Sequence, residues 1–243
     1  MSKDHFVSVT FLNNFTDDAQ VNINPRYKNI FCLAKQKQQF NNKPSALGNV
    51  AYRRNLDGTG NFKAELERYE SVWTVLYNKL ISNKFSAREY EDVLTYLLLM
   101  SLNNPTKQKE RLDIMLGHAT PDEIAHVEHL ETKDKHMQVR DILVGSGYVA
   151  VVKKELLQLA YWVVKNDSSV PFVTSDNPWV LLSECHFIPI SKNYALQIST
   201  KDLDIAGSSK LYLTSSEAEV REVNHLMREN ADLFVYASST NVF

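Results

Sequence analysis

The strongest constraint on the fold of this chain is that helical apolar spacing occupies its middle, between two strand-like ends. Large apolar side chains recur there at steps of three and four residues, namely Leu66, Tyr69, Trp73, Leu76 and Leu80. This period places one apolar stripe on one face of a helix. Short apolar runs typical of strands occur before this tract and again in the last third of the chain. Strands at both ends around a helical middle indicate an α+β fold.

We expect a single α+β domain over residues 1–243, because no linker rich in Gly and Ser divides the chain. The helical insertion is predicted over about residues 62–166, and the strand-rich C-terminal part over about 170–238. The N- and C-terminal strands are expected to share one mixed or mainly antiparallel sheet. Locally, residues 6–15 are predicted as strand and turn, with Asn13-Asn14 as a turn signal, residues 21–23 and 30–34 as a hairpin, and residues 153–164 as a helix.

Three capping boxes mark predicted helix starts, because a Ser or Thr hydroxyl and a Glu three residues later each bond a free backbone amide. They begin at Ser86, Thr120 and Ser216. Pro121 also suits the first position of a helix. Gly145-Ser146-Gly147 lacks the Lys and the spacing of a phosphate-binding loop, so it predicts a break between two helices.

Composition excludes several classes of protein. The 27 Lys and Arg residues are balanced by 29 Asp and Glu residues, a formal charge of −2, which argues against a strongly basic surface for nucleic acid. Cys32 and Cys185 have no metal-like or redox spacing, so we expect two buried free thiols. The first residues contain no apolar signal core, and no apolar run is long enough to cross a bilayer. We therefore expect a cytoplasmic protein that does not enter the membrane; the oligomeric state is left open.

A sharp turn is predicted where an apolar run meets Thr174-Ser175-Asp176-Asn177-Pro178. Pro178 biases Asn177 towards extended geometry, and the Asp176 and Asn177 side chains can bond their own backbone. The apolar run resumes at Trp179. The turn therefore places a carboxylate at the mouth of a strand, where active sites often lie.

Several stretches, taken together in order and spacing, resemble one bacterial and phage family, the domain of unknown function 4238. The stretches that carry the likeness are His5-Phe6-Val7, residues 11–17, residues 67–70, residues 172–178, Ile188-Pro189-Ile190-Ser191 and residues 224–236. Two positions depart from the family pattern: Ser8 stands where proline is usual, and Asn103-Asn104-Pro105 lacks the Arg often found before that proline. The resemblance implies a fold more firmly than an activity, since the family has no assigned one.

The main candidate site combines His5, Glu70 and Asp176. Glu70 lies on the flank of the apolar stripe, so it could face the sheet, while His5 begins the first strand. One imidazole and two carboxylates suit a divalent ion such as Mg²⁺, Mn²⁺ or Zn²⁺, which polarises a phosphoryl oxygen and activates water. In this interpretation the three residues are both metal ligands and catalytic groups, and Asn177 and Ser175 bind substrate. The structural alternative has Asp176 bonding turn amides, Glu70 pairing with Arg68 or a lysine, and His5 at a flexible terminus.

Other candidates have plainer explanations. His126 and His129 share a helix face, but they lie among charged residues typical of a solvated surface. Ser175 lacks the Gly-x-Ser-x-Gly elbow of a hydrolase nucleophile. The basic runs at Arg53-Arg54 and at residues 107–111 could contact phosphates, although mixed charge on an exposed helix explains the second.

The leading functional hypothesis is a metal-dependent phosphodiesterase or nuclease that uses Mg²⁺ or Mn²⁺ and acts on nucleic acid or nucleotides. A role in conflict with phage or mobile elements is what the resemblance alone implies. The alternative is a non-catalytic binding or regulatory module that recognises a protein or a small ligand. Its pocket would form where Asp176 and Asn177 meet the helical layer.

Overall fold

The computed structural model describes residues 3–5, 7–20, 22–41, 43–54, 60–104, 106–130, 132–182, 184–199 and 212–243. Within these residues the helices are α1 (Val9–Leu12), α2 (Asn61–Ile81), α3 (Ala87–Asn103), α4 (Gln108–His118), α5 (Pro121–Glu128), α6 (Thr132–Gly145), α7 (Tyr148–Leu156) and α8 (Glu217–Asn230). The strands are β1 (Lys3–His5), β2 (Asn29–Ala34), β3 (Ser45–Ala46), β4 (Tyr52–Arg54), β5 (Tyr161–Asn166), β6 (Thr174–Ser175), β7 (Val180–Leu182), β8 (Cys185–Pro189), β9 (Tyr194–Ser199), β10 (Tyr212–Ser215) and β11 (Phe234–Ala237).

An antiparallel sheet of order β3-β2-β11-β6 joins the two ends of the chain. Its central strand β11 pairs on one side with β2, where Tyr236 is opposite Cys32, and on the other with β6, where Tyr236 is opposite Thr174. This arrangement confirms the prediction that N- and C-terminal strands share a sheet. It also places the turn after β6 against the residues that lead into β11.

A second sheet has the order β10-β5-β9-β8-β7. Its pairs are antiparallel except for β10 and β5, which run parallel. A two-stranded ribbon of β1 and β4 lies apart from both. The fold is therefore α+β with mainly antiparallel sheets, as the sequence predicts.

The predicted helix starts are confirmed at all three capping boxes. In each box the hydroxyl of Ser86, Thr120 or Ser216 accepts the backbone amide three residues on, and the Glu there accepts the cap's own amide. The break at residues 145–147 is also confirmed, since α6 ends at Gly145 and Gly147 takes a left-handed φ of 80° before α7. These signals are local, which is why the sequence alone is sufficient to read them.

The helix predicted for residues 153–164 is wrong in its second half. Helix α7 ends at Leu156, and residues 161–166 form β5 between β9 and β10. Aromatic and β-branched side chains at Tyr161, Val163 and Val164 suit a pleated surface, and two partner strands satisfy their backbone groups. Tertiary pairing therefore overrides the apparent helical period.

The strand predicted within residues 6–15 is also wrong. Val9–Leu12 is a short helix that continues into a 3-10 turn at Asn13–Phe15. Ser8 caps it, because its hydroxyl accepts the Thr10 amide at 3.2 Å. In the predicted N-terminal hairpin, Val21 lies outside the described residues, and β2 pairs instead with β3 and β11.

The larger apolar cluster is centred on Trp73, which is fully buried and packs against Phe11 and Tyr96 with ring centroids 5.7 and 4.8 Å apart. It includes residues from the first helix, the helical middle and the five-stranded sheet. Cys32 and Cys185 are buried free thiols, as predicted. Over the described residues, no helix combines the length and the apolar character that crossing a membrane requires. The single-domain organisation stays a prediction.

Candidate functional site

The turn after β6 is held first by its own side chains. The Ser175 hydroxyl donates to the Asn177 carbonyl at 2.7 Å and accepts the Asn177 amide at 3.1 Å. Ser175 is fully buried, with its oxygen 3.2 Å from the Met227 sulfur. The side chain predicted to bind substrate is thus part of the turn's internal bonding.

Asp176 is directed inward rather than towards an open mouth. Only 1% of its surface is exposed, and its two carboxylate oxygens accept the backbone amides of Asp232 at 3.0 Å and Leu233 at 2.7 Å. Burial raises its pKa from 3.8 to about 6, and the amide bonds oppose that rise only in part. The carboxylate therefore fastens the turn to the segment that leads into β11.

Asn104, directly after α3, joins the helical middle to this turn. Its side-chain amide donates to the Asp176 carbonyl at 2.9 Å and to the Asp232 carboxylate at 2.7 Å. Its oxygen accepts the amide and the hydroxyl of Thr106 at 3.0 and 2.8 Å. A side chain so fully engaged orients three segments of the chain around one point.

Two asparagines of α8 complete the connection. Asn230 donates to the carbonyls of Asn177 and Trp179, while Asn177 donates to the Asn230 carbonyl at 3.2 Å. Asn224, which is fully buried, accepts the Val173 amide at 3.0 Å and donates to the carbonyls of Pro171 and Val242 at 3.0 and 2.7 Å. We call the five side chains of Asn104, Asp176, Asn177, Asn224 and Asn230 the polar clamp.

The sequence contains a signal for part of this clamp that was not used. In α8 the buried positions Val220, Val223 and Met227 form one stripe, and Asn224 falls on it at four residues from the first and three from the last. A polar residue on a buried stripe must find hydrogen-bond partners, so Asn224 can be predicted to bond other segments. No comparable pattern surrounds Asn104.

Glu70 occupies a different polar environment. It is half-buried on α2, and burial raises its pKa, opposed by a hydrogen bond with Ser8 and aided by the charge of Glu67. The charge of Glu70 also contributes to raising the pKa of the fully buried Tyr96, after burial itself. The pKa of Asp176 is shifted by a different set of residues, namely Asp232, Leu233 and Phe234.

His5 lies in β1, opposite Tyr52 of β4, but its side chain is outside the described residues. The convergence of His5, Glu70 and Asp176 in one cavity thus stays a prediction. The described partners of the two acids give it no support, because they belong to separate polar groups. Among the side chains that the structure describes, no three His, Cys, Asp or Glu residues are grouped so that they could hold a metal ion.

The other sequence candidates are placed as follows. His126 and His129 are exposed, as expected for a solvated face, and the side chains of Arg53 and Arg54 lie outside the described part. In the basic run at residues 107–111, Arg111 is turned inward with 4% exposure and donates to the Leu102 carbonyl. Burial, followed by the nearby charge of Arg140, lowers the Arg111 pKa to about 9. The surface patch predicted there is correspondingly smaller.

An open cleft of about 700 Å³ lies beside the polar clamp, between Asp232 and the first turns of α4. We call it the α4 cleft. Its charged lining comprises Lys107, Lys109, Glu110, Asp113 and Asp232. Lys107 is paired with Glu110 at 3.2 Å, and Asp232 accepts from Asn104 of the clamp. Both signs of charge therefore face the same space, as a polar partner would require.

The comparison with protein families identifies the class to which the chain belongs. A family model described as "Protein of unknown function (DUF4238)" matches residues 3–241. Because the match covers nearly all of the 243 residues, the chain belongs to this family. No curated protein and no solved structure matches it.

Proposed function

We propose that this protein is a non-catalytic binding or regulatory module that recognises a polar partner, a protein segment or a small ligand, in the α4 cleft. One observation carries the proposal. The carboxylate that occupies the strand mouth, that of Asp176, accepts two backbone amides and is almost completely buried. A carboxylate used in this way supports the structure rather than a reaction at that position.

The size and charge of the α4 cleft support recognition at this place. A volume of about 700 Å³ lies within the roughly 300–1,000 Å³ of cavities that hold drug-sized ligands. Its lining differs from a typical apolar pocket, because Ile114 is accompanied by two lysines and three acids. A partner with both charges, such as a short peptide segment, complements this lining.

The proposal is tested by a binding selection paired with a charge exchange. Random peptides are selected against the full chain, and affinities are measured by titration calorimetry for wild type and for Lys109→Glu combined with Asp113→Lys, which keeps the net charge. Both side chains are exposed, so the exchange is expected to leave the unfolding temperature unchanged. We expect selected peptides to carry both charges and to bind the exchanged protein at least tenfold more weakly. Equal affinities, or a failure to select any peptide, would remove the α4 cleft as the recognition site.

The metal-dependent phosphodiesterase or nuclease is the second candidate. The observation in its favour is the Asp176 pKa of about 6, since carboxyls that titrate near neutral pH are common in active sites. The described partners of Glu70 and Asp176 do not fit a shared Mg²⁺ or Mn²⁺ ion, so no reaction step is derived through one. The test is to incubate the protein with labelled DNA, RNA and cyclic nucleotides in the presence of either ion and to measure hydrolysis. If wild type hydrolyses one of these substrates and Asp176→Ala does not, the enzyme hypothesis would replace that of a binding module.

A further inference from the structure

A second polar cavity lies away from the α4 cleft, where the N-terminal segment meets α2 and the turn between β8 and β9. We call it the Lys28 cleft, and its volume is about 180 Å³. Three of its walls are fixed by Asn13 and Asn14, by Tyr77, and by the turn at residues 191–193. The Asn14 side chain donates to the Ile190 carbonyl at 3.3 Å, and the Lys192 amide donates to the Asn14 carbonyl at 3.1 Å. The cavity is therefore built by bonds between distant segments.

Lys28 lines this cleft in an unusual state for a lysine. It is 8% exposed, and its side chain has no hydrogen bond or ion pair within the part of the chain that the structure describes. Lysines are almost never buried to this degree unless they are paired. The Lys28 amino nitrogen is not among the fully buried atoms without a partner, so it still reaches the cleft, where an anion can supply the missing counter-charge.

The other residues that line the cleft with Lys28 are polar, and most of them are held in place by hydrogen bonds. The side-chain oxygen of Asn13 is buried without a hydrogen-bond partner among the described residues. The Tyr77 hydroxyl bonds Ser191, and burial raises the pKa of Tyr77 to about 12, so the hydroxyl keeps its proton at neutral pH. Ser191 is held in turn by accepting the amides of Asn193 and Tyr194. The cleft thus presents fixed neutral polar groups next to Lys28, while its other lysine, Lys192, is paired with Asp18.

The rim of the cleft, formed by Asp17, Asp18 and Lys192, is more exposed than its floor, where Lys28 lies, and it contains acids. Lys192 pairs with Asp18 at 2.7 Å, and the Asp18 side chain is 86% exposed. Asp17, also on the rim, is exposed and accepts the Ala19 amide at 3.0 Å. Two exposed acids at the entrance disfavour an extended polyanion such as nucleic acid, which would have to lie along them, more than a single small anion.

We infer that the Lys28 cleft binds one small anionic group, a carboxylate or a phosphate, whose charge is neutralised by the Lys28 ammonium. The volume of about 180 Å³ is below the range of drug-sized pockets, so the cleft suits an ion or a single head group. This site shares no lining residue with the α4 cleft. The inference therefore goes beyond the proposed recognition module and does not depend on it.

The experiment measures thermal unfolding of the full chain with sodium phosphate, sodium acetate and a nucleoside monophosphate, each balanced with chloride to one ionic strength. A ligand that binds only the folded state raises the unfolding temperature in a saturable way. We expect a saturable rise with at least one of the three anions. The three arms separate a free phosphate, a carboxylate and a phosphate ester as the preferred form of the same chemistry.

Lys28→Met retains the length of the apolar stem and removes the charge, and it is expected to weaken the apparent affinity at least tenfold. The matched control is Lys154→Met, an exposed lysine of α7 outside the cleft lining, whose affinity is expected to equal that of wild type. A loss of the same size in the control would mean that only net charge matters. No anion-specific rise, or equal affinities for wild type and Lys28→Met, would overturn the inference.

If Lys28→Met does not fold, Asn13→Asp provides an independent measurement. This near-isosteric change places a carboxylate in the cleft as a built-in counter-charge for Lys28. We expect a higher unfolding temperature without added anion and an anion affinity at least threefold weaker than that of wild type. An affinity equal to wild type contradicts the inference. The variant that combines Lys109→Glu with Asp113→Lys is expected to bind the anion as wild type does. This result would show that the Lys28 cleft and the α4 cleft act independently, so the two proposals can fail separately.

Discussion

The polar clamp and the Lys28 cleft are both polar regions inside the protein, but they treat buried polar groups in opposite ways. Each side chain of the clamp is hydrogen bonded, and Asn224 alone connects three backbone groups of two segments. In the Lys28 cleft a buried lysine and a buried amide oxygen have no partner among the described residues. Native proteins pair nearly all of their buried polar groups. The first region is therefore a structural hydrogen-bond network, and the second is an incomplete site that lacks a partner for its polar groups.

This difference changes the interpretation of the most prominent motif. The Thr-Ser-Asp-Asn-Pro turn has the composition of an active-site loop, yet its Ser side chain bonds within the turn, and its Asp and Asn side chains bond the segment before β11 and the end of α8. Two of the stretches that carry the family resemblance, at residues 172–178 and 224–236, are therefore partners in one hydrogen-bond network. Their residue types are explained by a requirement of the fold.

The largest predicted effect concerns the clamp. Asn224→Ala removes the partner of one buried amide and two carbonyls, and each orphaned group costs roughly 1–3 kcal/mol. We expect the free energy of unfolding to fall by about 4 kcal/mol, near the upper end for single substitutions. Denaturant unfolding followed by circular dichroism measures it.

The matched control is Asn78→Ala, which alters an exposed asparagine within α2. We expect a change of no more than about 0.5 kcal/mol, as for most surface positions. If both substitutions cost the same, the clamp does not stabilise the fold as described. The polar clamp would then not be a structural hydrogen-bond network, and its contrast with the Lys28 cleft would not hold.

The second prediction concerns pH. Asp176 has a pKa raised from 3.8 to about 6 by burial, so between pH 4 and 6 the folded chain holds a proton that the unfolded chain has released. The contribution of this group to stability is therefore highest at about pH 4 and is lost as the pH rises to about 6. A shift of about two units corresponds to about 3 kcal/mol. Unfolding free energies measured from pH 4 to pH 7 test this.

Asp176→Asn serves as the control, because it keeps the shape of the side chain and cannot titrate. The difference in stability between wild type and Asp176→Asn is expected to change with pH across this window and to be constant above pH 7. The lowered pKa of Glu89, from 4.5 to about 2, changes stability at the lower end of this window, but it does so equally in both proteins and cancels in the difference. A difference that is independent of pH would show that the carboxylate of Asp176 stays ionised.

The two regions also differ in how far the sequence predicts them. Capping at Ser86, Thr120 and Ser216 depends on residues three apart, and the turn at Asp176 depends on its neighbours, so both are visible in the sequence. The partners of Asp176 are not, because they lie 56 and 57 residues further along the chain. The sequence pattern alone could place that carboxylate at the end of a strand, but it could not show that the carboxylate is buried against a remote segment.

The Lys28 cleft is even harder to predict from local sequence patterns. Lys28 lies between a 3-10 turn at Pro25–Tyr27 and β2, in a stretch that has the composition of an exposed loop. It is buried only because segments around residues 13–18, 77 and 191–193 converge on it. The error over residues 161–166 has the same origin, since strand pairing with β9 and β10 decides that conformation. Contacts between remote segments decide all of these features.

The third prediction sharpens the comparison by applying a similar truncation to the incomplete site. Lys28→Met replaces an unpaired charge on a residue that is only 8% exposed with an apolar group of similar length, so it removes a desolvation cost without orphaning any described partner. In anion-free buffer we expect the free energy of unfolding to rise by about 1 kcal/mol, opposite in sign to Asn224→Ala. A fall of similar size would mean that Lys28 has a structural partner and that the cleft is complete.

The smallest effect is predicted at the rim. Asp18→Asn breaks the pair with Lys192, but the Asp18 carboxylate is 86% exposed and screened by water, so we expect the free energy of unfolding to change by less than about 0.5 kcal/mol. The same substitution removes a negative charge from the entrance and releases Lys192, so the affinity of the cleft for phosphate should rise two- to threefold at low salt and return to the wild-type value at high salt. Calorimetric titrations of wild type and Asp18→Asn at two ionic strengths measure this. A gain that persists at high salt would place the anion on Lys192 instead of Lys28, and the incomplete site would then be at the rim rather than on the floor.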